Sequence, residues 1–264
     1  MDTCLEYNFG NKFVIPSTIF PEHLSPLRKL RLSGVVTNLP WRSLSNLLVF
    51  KFDHGNFLGF QPFVVTELLD FFESTPLLRK IPLRNLTLDS STISPGRVVS
   101  LPNLKKFTAN PSPAPSTFFD HFSIPTGVWL NLDFSFPESR HPIPVCLANH
   151  FSDLHITTVN LLSSCLQDAR MRLDGPSGRL HASGEWEAWD KSTFFHSLCK
   201  FDLSNAQRLS VTRYLPRSER KTEDFLIFQP LLSMNNLRTL VLIEVDHTPF
   251  TRALNPVENG SNAI

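Results

Sequence analysis

Several features that mark particular classes of protein are scarce or missing in this sequence. The four cysteines are scattered, without a Cys-x-x-Cys pair, whereas secreted disulfide scaffolds are shorter and much denser in cysteine. No apolar run approaches the roughly 18 residues that a membrane-spanning helix needs. The first residues, "MDTCLEYNFG", lack the basic and apolar regions of a signal peptide. We therefore expect a cytoplasmic or nuclear protein without a membrane segment.

Motifs for catalysis and for cofactor binding are missing as well. The chain contains no Gly-x-x-x-x-Gly-Lys-Ser/Thr or Gly-x-Gly-x-x-Gly phosphate loop and no Gly-x-Ser-x-Gly elbow. The dipeptide Asp120-His121 is too short to indicate a catalytic triad. One group of potential metal ligands has a spacing that matches no zinc motif: His141, Cys146, His150 and His155. The sequence therefore predicts no catalytic residue, no metal and no cofactor, and we expect a protein that is not an enzyme.

Neither sign of charge is in excess. The chain has 25 Lys and Arg against 24 Asp and Glu, a net charge of +1, so any argument from charge must concern a local patch. About 41% of the residues are hydrophobic, which is typical of a packed protein. Phenylalanine occurs 23 times and tyrosine only twice, so we expect most aromatic rings to fill a core.

What the sequence has instead is a recurring Leu-x-x-Leu-x-Leu spacing, as in "NNLRTLVLIEVD" at 235–246. The first position of this motif is clear at Leu27, Leu47, Leu78, Leu104 and Leu237, and weaker versions begin at 127, 151 and 206. Most intervals are 20 to 31 residues, near the period of about 20–29 residues that leucine-rich repeats show. The long interval from 151 to 206 requires an insertion.

The alternation within each motif predicts a short strand with one buried face, because successive side chains of a strand point to opposite sides. In the last copy, Leu240 and Leu242 should point inward and Val241 outward. We predict one curved parallel sheet with strands at 29–32, 49–52, 80–83, 105–109, 129–133, 153–156, 208–212 and 239–243. Stretches with helical patterns predict the returns between strands, at 66–75, 116–122, 144–150 and 222–234.

A β-hairpin is predicted at 170–186, where apolar residues alternate on either side of Gly175-Pro176-Ser177-Gly178. We expect it as an irregular insertion between the repeats that begin near 151 and 206. The predicted fold class is thus α/β, an irregular leucine-rich-repeat solenoid with helical returns and one inserted hairpin. Residues 1–264 are predicted to form a single domain.

Basic residues occupy matching places in successive motifs, mostly the two positions after the first leucine. Stacking of the repeats would align them along one edge of the sheet, as a positive stripe that we call the basic rim. These slots are exposed in any such repeat, so ordinary solvated surface is the alternative interpretation. As a binding site, the rim would hold an acidic or phosphorylated protein segment. Its predicted partner-binding residues are Arg28, Lys29, Arg31, Lys51, Arg79, Lys80, Lys105, Lys106 and Arg238, with Arg84 nearby.

Four stretches together resemble the leucine-rich-repeat region of F-box-like proteins of mushroom-forming fungi: "IPSTIFPEHLSPLRKLRLSG", "VTELLDFFESTPLLRKIPLRNL", "LPNLKKF" and "MRLDGPSGRL". The resemblance covers about residues 15–245. It implies an N-terminal F-box that docks a Skp-type adaptor of a cullin ubiquitin ligase, and repeats that hold the substrate. This chain departs from the family at both ends, because residues 1–26 are too few for an F-box and no polar capping repeat closes the end.

Those departures lead to further expectations. The chain is expected to be truncated at both ends, with 247–264 as a loop or disordered tail, and to bind a Skp-type adaptor only if the full-length product contains an F-box. The asparagine that usually follows each motif is replaced, which predicts uneven repeats; its slot holds Val35, Gly55, Leu86, Ser112 and Val245.

The predicted function is a non-enzymatic protein-interaction module, the substrate-recognition part of an F-box-like ubiquitin-ligase receptor. One alternative is a parallel β-solenoid enzyme that acts on polysaccharide. Trp186 and Trp189 lie among acidic residues, which is compatible with a carbohydrate platform or with packing at a strand end. A second alternative is a nucleic-acid binder that uses the basic rim, although the near-neutral charge disfavours it.

Overall fold

The structure is a computed structural model, and it describes residues 4–8, 13–14, 26–33, 36–37, 44–53, 63–85, 88–89, 96–110, 116–133, 154–164, 168–185, 197–214, 231 and 233–245. Its main feature is a sheet of eleven strands. In chain order these are β1 (Cys4–Asn8), β2 (Lys29–Ser33), β3 (Val49–Asp53), β4 (Lys80–Arg84), β5 (Lys106–Asn110), β6 (Trp129–Asp133), β7 (Thr158–Ser164), β8 (Asp168–Gly175), β9 (Gly178–Glu185), β10 (Arg208–Tyr214) and β11 (Thr239–Ile243).

The strands are ordered β1-β2-β3-β4-β5-β6-β9-β8-β7-β10-β11 across the sheet. Every neighbouring pair is parallel except the two pairs that involve β8. The fold is therefore mixed α/β with a large, mostly parallel sheet and few helices. Predicted strands are present at seven of the eight expected places, within one or two residues of the expected bounds.

Two continuous rows of apolar side chains cover the inner face of the sheet, because the motif leucines of neighbouring strands are in register. The first row of the motif runs through Leu30, Phe50, Ile81, Phe107, Leu130, Leu180, Leu173, Val159, Leu209 and Leu240. The second row lies two residues further along each parallel strand, and two residues earlier on the antiparallel β8. It runs through Leu32, Phe52, Leu83, Ala109, Leu132, Ala182, Met171, Leu161, Val211 and Leu242. All of these are buried except the two leucines of the edge strand β11, which are half-buried and pack against the core.

The segments that return from one strand to the next contain one α-helix, α1 (Val65–Ser74), in the described part of the chain. This is the helix predicted at 66–75, and it buries Leu68, Leu69, Phe71 and Phe72. Short 3-10 helices occupy Ser116–His121, near the helix predicted at 116–122, and Ser197–Lys200. The helix predicted at 144–150 lies outside the described residues, as does most of the one at 222–234 and the predicted tail at 247–264. None of the described helices is long and apolar enough to cross a membrane.

Phenylalanine fills the space between the sheet and the returning segments. The ring of Phe50 on β3 lies 4.4 Å from that of Phe71 on α1, centroid to centroid. On the next strands the ring of Phe107 lies 5.8 Å from that of Phe119, and Phe118 lies 4.8 Å from Phe122. Tilted and edge-to-face contacts of this kind add to the stabilisation from apolar burial. Many of the phenylalanines therefore fill the core, as the composition predicts.

The strand predicted at 153–156 is wrong. Leu154 belongs to a short 3-10 segment and His155 has a left-handed backbone, with φ of 48°, so the chain turns there instead of extending. In the structure the first position of the motif is residue 156 and not residue 151. Ile156, Val159 and Leu161 occupy its three apolar positions, and β7 begins at 158. Both readings place apolar residues at suitable intervals, and only pairing with β10 selects the second one.

The hairpin predicted at 170–186 is present, as β8 and β9 joined at Pro176-Ser177, but its place in the sheet is between β6 and β7 and not beside β10. It lies within the sheet: β9 pairs with β6, and β8 pairs with β7. Two glycines allow the close approach this requires. A Cβ on Gly175 would overlap the backbone oxygen of Leu154, and one on Gly178 would lie 2.9 Å from that of Val128. After β6 the chain leaves two strand positions of the sheet empty and forms β7. It then fills these two positions with β8 and β9, and β8 is antiparallel to both of its neighbours.

The outer face of the sheet as a candidate binding site

The strand residues that alternate with the buried rows form the outer face of the sheet, which is half-buried or exposed. Among the outer-face side chains that the structure describes from β2 to β11, ten are Lys or Arg and three are Asp. The basic ones are Lys29, Arg31, Lys51, Lys80, Arg84, Lys106, Arg170, Arg172, Arg179 and Arg208, and the acidic ones are Asp53, Asp133 and Asp174. These described side chains together carry a charge of +7, although the whole chain carries +1.

Four cations form a compact group at the starts of β4 and β5, which we call the basic block: Arg79, Lys80, Lys105 and Lys106. Lys80 and Lys106 are in register on the two parallel strands, which lie about 4.8 Å apart. The residues just before them are also tied together, because the carbonyl of Arg79 accepts hydrogen bonds from the backbone N–H groups of Lys105 (2.8 Å) and Lys106 (3.0 Å). The backbone thus holds two basic dipeptides side by side.

The basic block has no acidic partner among the residues that the structure describes. Arg79, Lys80 and Lys105 are exposed, and Lys106 is half-buried. Like charges on directly neighbouring strand positions repel each other, so the arrangement is unfavourable unless an anion is bound. A ligand carboxylate or phosphate would relieve this repulsion, and it would meet several donors at once.

Trp129 lies directly beside the basic block, at the outer-face position of β6 that is in register with Lys106. It is 38% exposed, which is unusual for a large apolar ring. The ammonium nitrogen of Lys106 lies 3.8 Å from the centroid of the ring, and the guanidinium carbon of Arg179 lies 5.4 Å from it. Cation–π attraction of this kind orients both cations on the surface. Trp129 was not among the predicted binding residues, because its place between two basic strand positions becomes visible only when the strands are aligned.

The arginines of the hairpin were not among the predicted binding residues either, because the hairpin does not carry the recurring motif. Two of them are bound by a neighbouring acid: Nε of Arg172 donates to Asp174 at 2.7 Å, and Nε of Arg179 donates to the other oxygen of the same carboxylate. Asp174 thus neutralises part of the charge in the middle of the outer face, whereas the basic block remains uncompensated among the described residues.

The predicted basic rim is divided by the fold. Arg31 and Lys51 are in register on β2 and β3. Lys29 lies at the level of Lys80, but Val49 on β3 stands between them. Arg28 shapes the same edge through its carbonyl, which accepts hydrogen bonds from the N–H groups of residues 48 and 49. Arg238 precedes β11, six strands away from β5, or roughly 29 Å at about 4.8 Å per strand. It lies apart from the other eight residues.

His181 stands near the centre of the outer face, on β9. Partial burial lowers its pKa, and the positive charges of Arg170 and Arg172 lower it further, while Asp133 and Asp174 act in the opposite direction. The ordinary pKa of histidine is about 6.5, so the His181 imidazole is neutral at pH 7.

The residues considered for chemistry do not assemble into a site in the described part of the chain. His121 is buried, and its Nδ1 donates a hydrogen bond of 2.7 Å to the carbonyl of Arg97, which is a structural role. His155 is exposed on a turn, and no group of three or more potential metal ligands comes together among the described residues. His141, Cys146, His150, Trp186 and Trp189 lie outside the described residues.

Comparison of the chain with models of protein families, with curated proteins and with solved structures finds no match. The candidate site therefore rests on the geometry and charge of the chain itself.

Proposed function

We propose that this chain is a non-enzymatic protein-interaction module, and that the outer face of its sheet holds an acidic or phosphorylated segment of a protein partner. The observation that carries the proposal is the basic block, four cations on adjacent strands with no acidic partner in the described part of the chain. An anionic ligand stabilises such a group by removing repulsion as well as by adding hydrogen bonds.

The proposed architecture is an irregular leucine-rich-repeat solenoid. Two observations support it: the motif residues of neighbouring strands are in register, and most strands follow one another across the sheet in chain order. The hairpin and the uneven spacing of the strands account for the irregularity. In proteins built from stacked repeats, the extended sheet surface is where partners bind.

The resemblance to F-box-like proteins leads to a more specific form of the proposal. In that form, the chain is the substrate-recognition part of an ubiquitin-ligase receptor, and a Skp-type adaptor binds only if the full-length product contains an F-box. Binding of a purified Skp-type adaptor to the full-length product tests this, separately from binding of acidic segments to the outer face.

The anion-binding proposal can be tested with two matched double variants. Lys80→Glu/Lys105→Glu reverses one outer-face cation and the cation preceding the next strand. Arg208→Glu/Arg238→Glu makes the same two changes on β10 and before β11, so net charge falls equally in both proteins. Acidic and phosphorylated peptides selected on an array are then titrated against each variant by fluorescence anisotropy, with circular dichroism melts to verify folding.

We expect the first variant to weaken binding by about tenfold or more and the second to change it less than about twofold, because close charges dominate a screened interaction. Binding of the wild-type protein should also decrease with added salt. Equal losses in the two variants would show that overall charge, and not the basic block, attracts the peptides. Absence of any acidic or phosphorylated ligand would contradict the proposal itself.

Binding of single-stranded nucleic acid is a second candidate, favoured by the exposed Trp129 between Lys106 and Arg179. Bases stack on such rings with about 1–3 kcal/mol each, and the cations would contact phosphates. Oligonucleotides titrated in the same assay decide between the two candidates. Binding tighter than that of any acidic peptide, and lost in Trp129→Leu, would support the nucleic-acid function.

A further inference from the structure

The outer face is divided into two halves of different chemistry. On β2 to β5, six of the eleven described outer-face side chains are Lys or Arg. On β7, β10 and β11, eight of the nine are uncharged, and Arg208 is the exception. The middle strands β6, β9 and β8 carry the paired charges around Asp174. The described part of the outer face therefore has a cationic half and a largely neutral half.

Apolar side chains gather in the neutral half, in what we call the apolar zone: Leu162, Val241 and Ile243. Ile243 is 45% exposed, and the other two are half-buried. Leu162 and Ile243 both pair with Thr212, which lies on the strand between them. Val241 lies one outer-face position before Ile243 on β11. Apolar side chains grouped on an otherwise polar sheet face offer a contact surface for an apolar part of a ligand.

We infer that the ligand is an extended protein segment with two parts, an acidic or phosphorylated cluster on the basic block and an apolar cluster on the apolar zone. This inference rests on the proposed function, and it adds the second contact and its spacing. Charge complementarity places the acidic part on β4 and β5, and the continuity of the outer face places the apolar part on β10 and β11. The segment lies across the strands.

The strand order determines the spacing between the two parts. Five strand spacings separate β5 from β10 and six separate it from β11, which is roughly 24–29 Å at about 4.8 Å per strand. An extended chain advances about 3.3 Å per residue, so about seven to nine residues separate the two clusters. A shorter segment cannot reach both halves.

The experiment uses synthetic peptides and the full chain. One peptide carries four acidic residues, including one phosphoserine. A second adds Leu-Ile-Leu after a spacer of eight prolines, which extends about 25 Å as a stiff polyproline helix, and a third has a spacer of three prolines. The series is made in both chain directions, since the structure defines the spacing and not the direction. Affinities are measured by fluorescence anisotropy.

We expect the peptide with the long spacer to bind about tenfold more tightly than the acidic peptide alone, in one of the two directions, because its apolar part is removed from water. The peptide with the short spacer should bind like the acidic peptide. Ile243→Thr should remove the gain while leaving the affinity for the acidic peptide unchanged. Val98→Thr is the matched control, since Val98 is 56% exposed outside the sheet.

The outcomes separate this inference from the proposed function. If the acidic peptide binds but the apolar extension adds nothing at either spacer length, the inference is wrong and the proposed function stands. A gain that does not depend on spacer length, or that survives Ile243→Thr, also overturns the inference. If no acidic peptide binds, both proposals fail.

Discussion

Leu130 offers a direct test of the arrangement of the sheet. It belongs to the first buried row, where it lies between Phe107 on β5 and Leu180 on β9, and it is fully buried. Replacing it with alanine removes three carbons from a layer that both neighbours share. The lost transfer energy and the remaining cavity together should lower the free energy of unfolding by about 3–5 kcal/mol. The effect is large because no neighbour can move in without leaving its own row.

Two comparison variants test whether the inner and outer faces of the sheet are assigned correctly. Asn131→Ala changes the next residue of the same strand, which faces outward, and should cost at most about 0.5 kcal/mol. Leu240→Ala affects the same row on the edge strand, where the leucine is only half-buried, and should cost about 1–2 kcal/mol. Unfolding in urea, followed by circular dichroism and extrapolated to water, gives the three values. Similar losses for Leu130→Ala and Asn131→Ala would refute the assignment of inner and outer faces.

Three further predictions concern single contacts. Gly175→Ala should destabilise the protein by about 2 kcal/mol or more in urea unfolding, since the new methyl group overlaps the backbone oxygen of Leu154; a cost below about 0.5 kcal/mol would contradict this close approach of the two backbones. Because the folded state lowers the pKa of His181, the unfolded chain binds its proton more strongly, and stability should decrease as pH falls through about 6.5. His181→Gln should reduce that decrease in thermal melts between pH 7.5 and 5, and an unchanged pH profile would contradict the assigned environment. Arg97→Met should cost about 0.5–1 kcal/mol at low salt and less at high salt, because Arg97 bonds two partly exposed acids of α1, and a loss that is independent of salt would exclude the ion pairs as its cause.

The candidate site was only partly accessible to sequence analysis. The members of the basic block could be predicted from the sequence, because each lies at one of the two positions that follow the first leucine of the motif. Trp129, Arg172, Arg179 and the apolar zone could not be found in this way, since they belong to the site through pairing between strands that are distant in the chain. The separation of Arg238 from the other basic residues has the same cause. The strands β9, β8, β7 and β10 lie between β6 and β11, the strand that Arg238 precedes.

The sequence by itself determined which residues form most strands and which side of each strand is buried, because alternation and the recurring motif are local properties. It also determined the hairpin, through two glycines and a proline between alternating segments. Only the tertiary structure decided the order β6-β9-β8-β7-β10 and the shift of the motif from 151 to 156. Both depend on which backbone hydrogen bonds and buried rows continue from one strand to the next. Local spacing allows either reading near 151–161, and the one that keeps the rows continuous leaves the fewest apolar side chains in water.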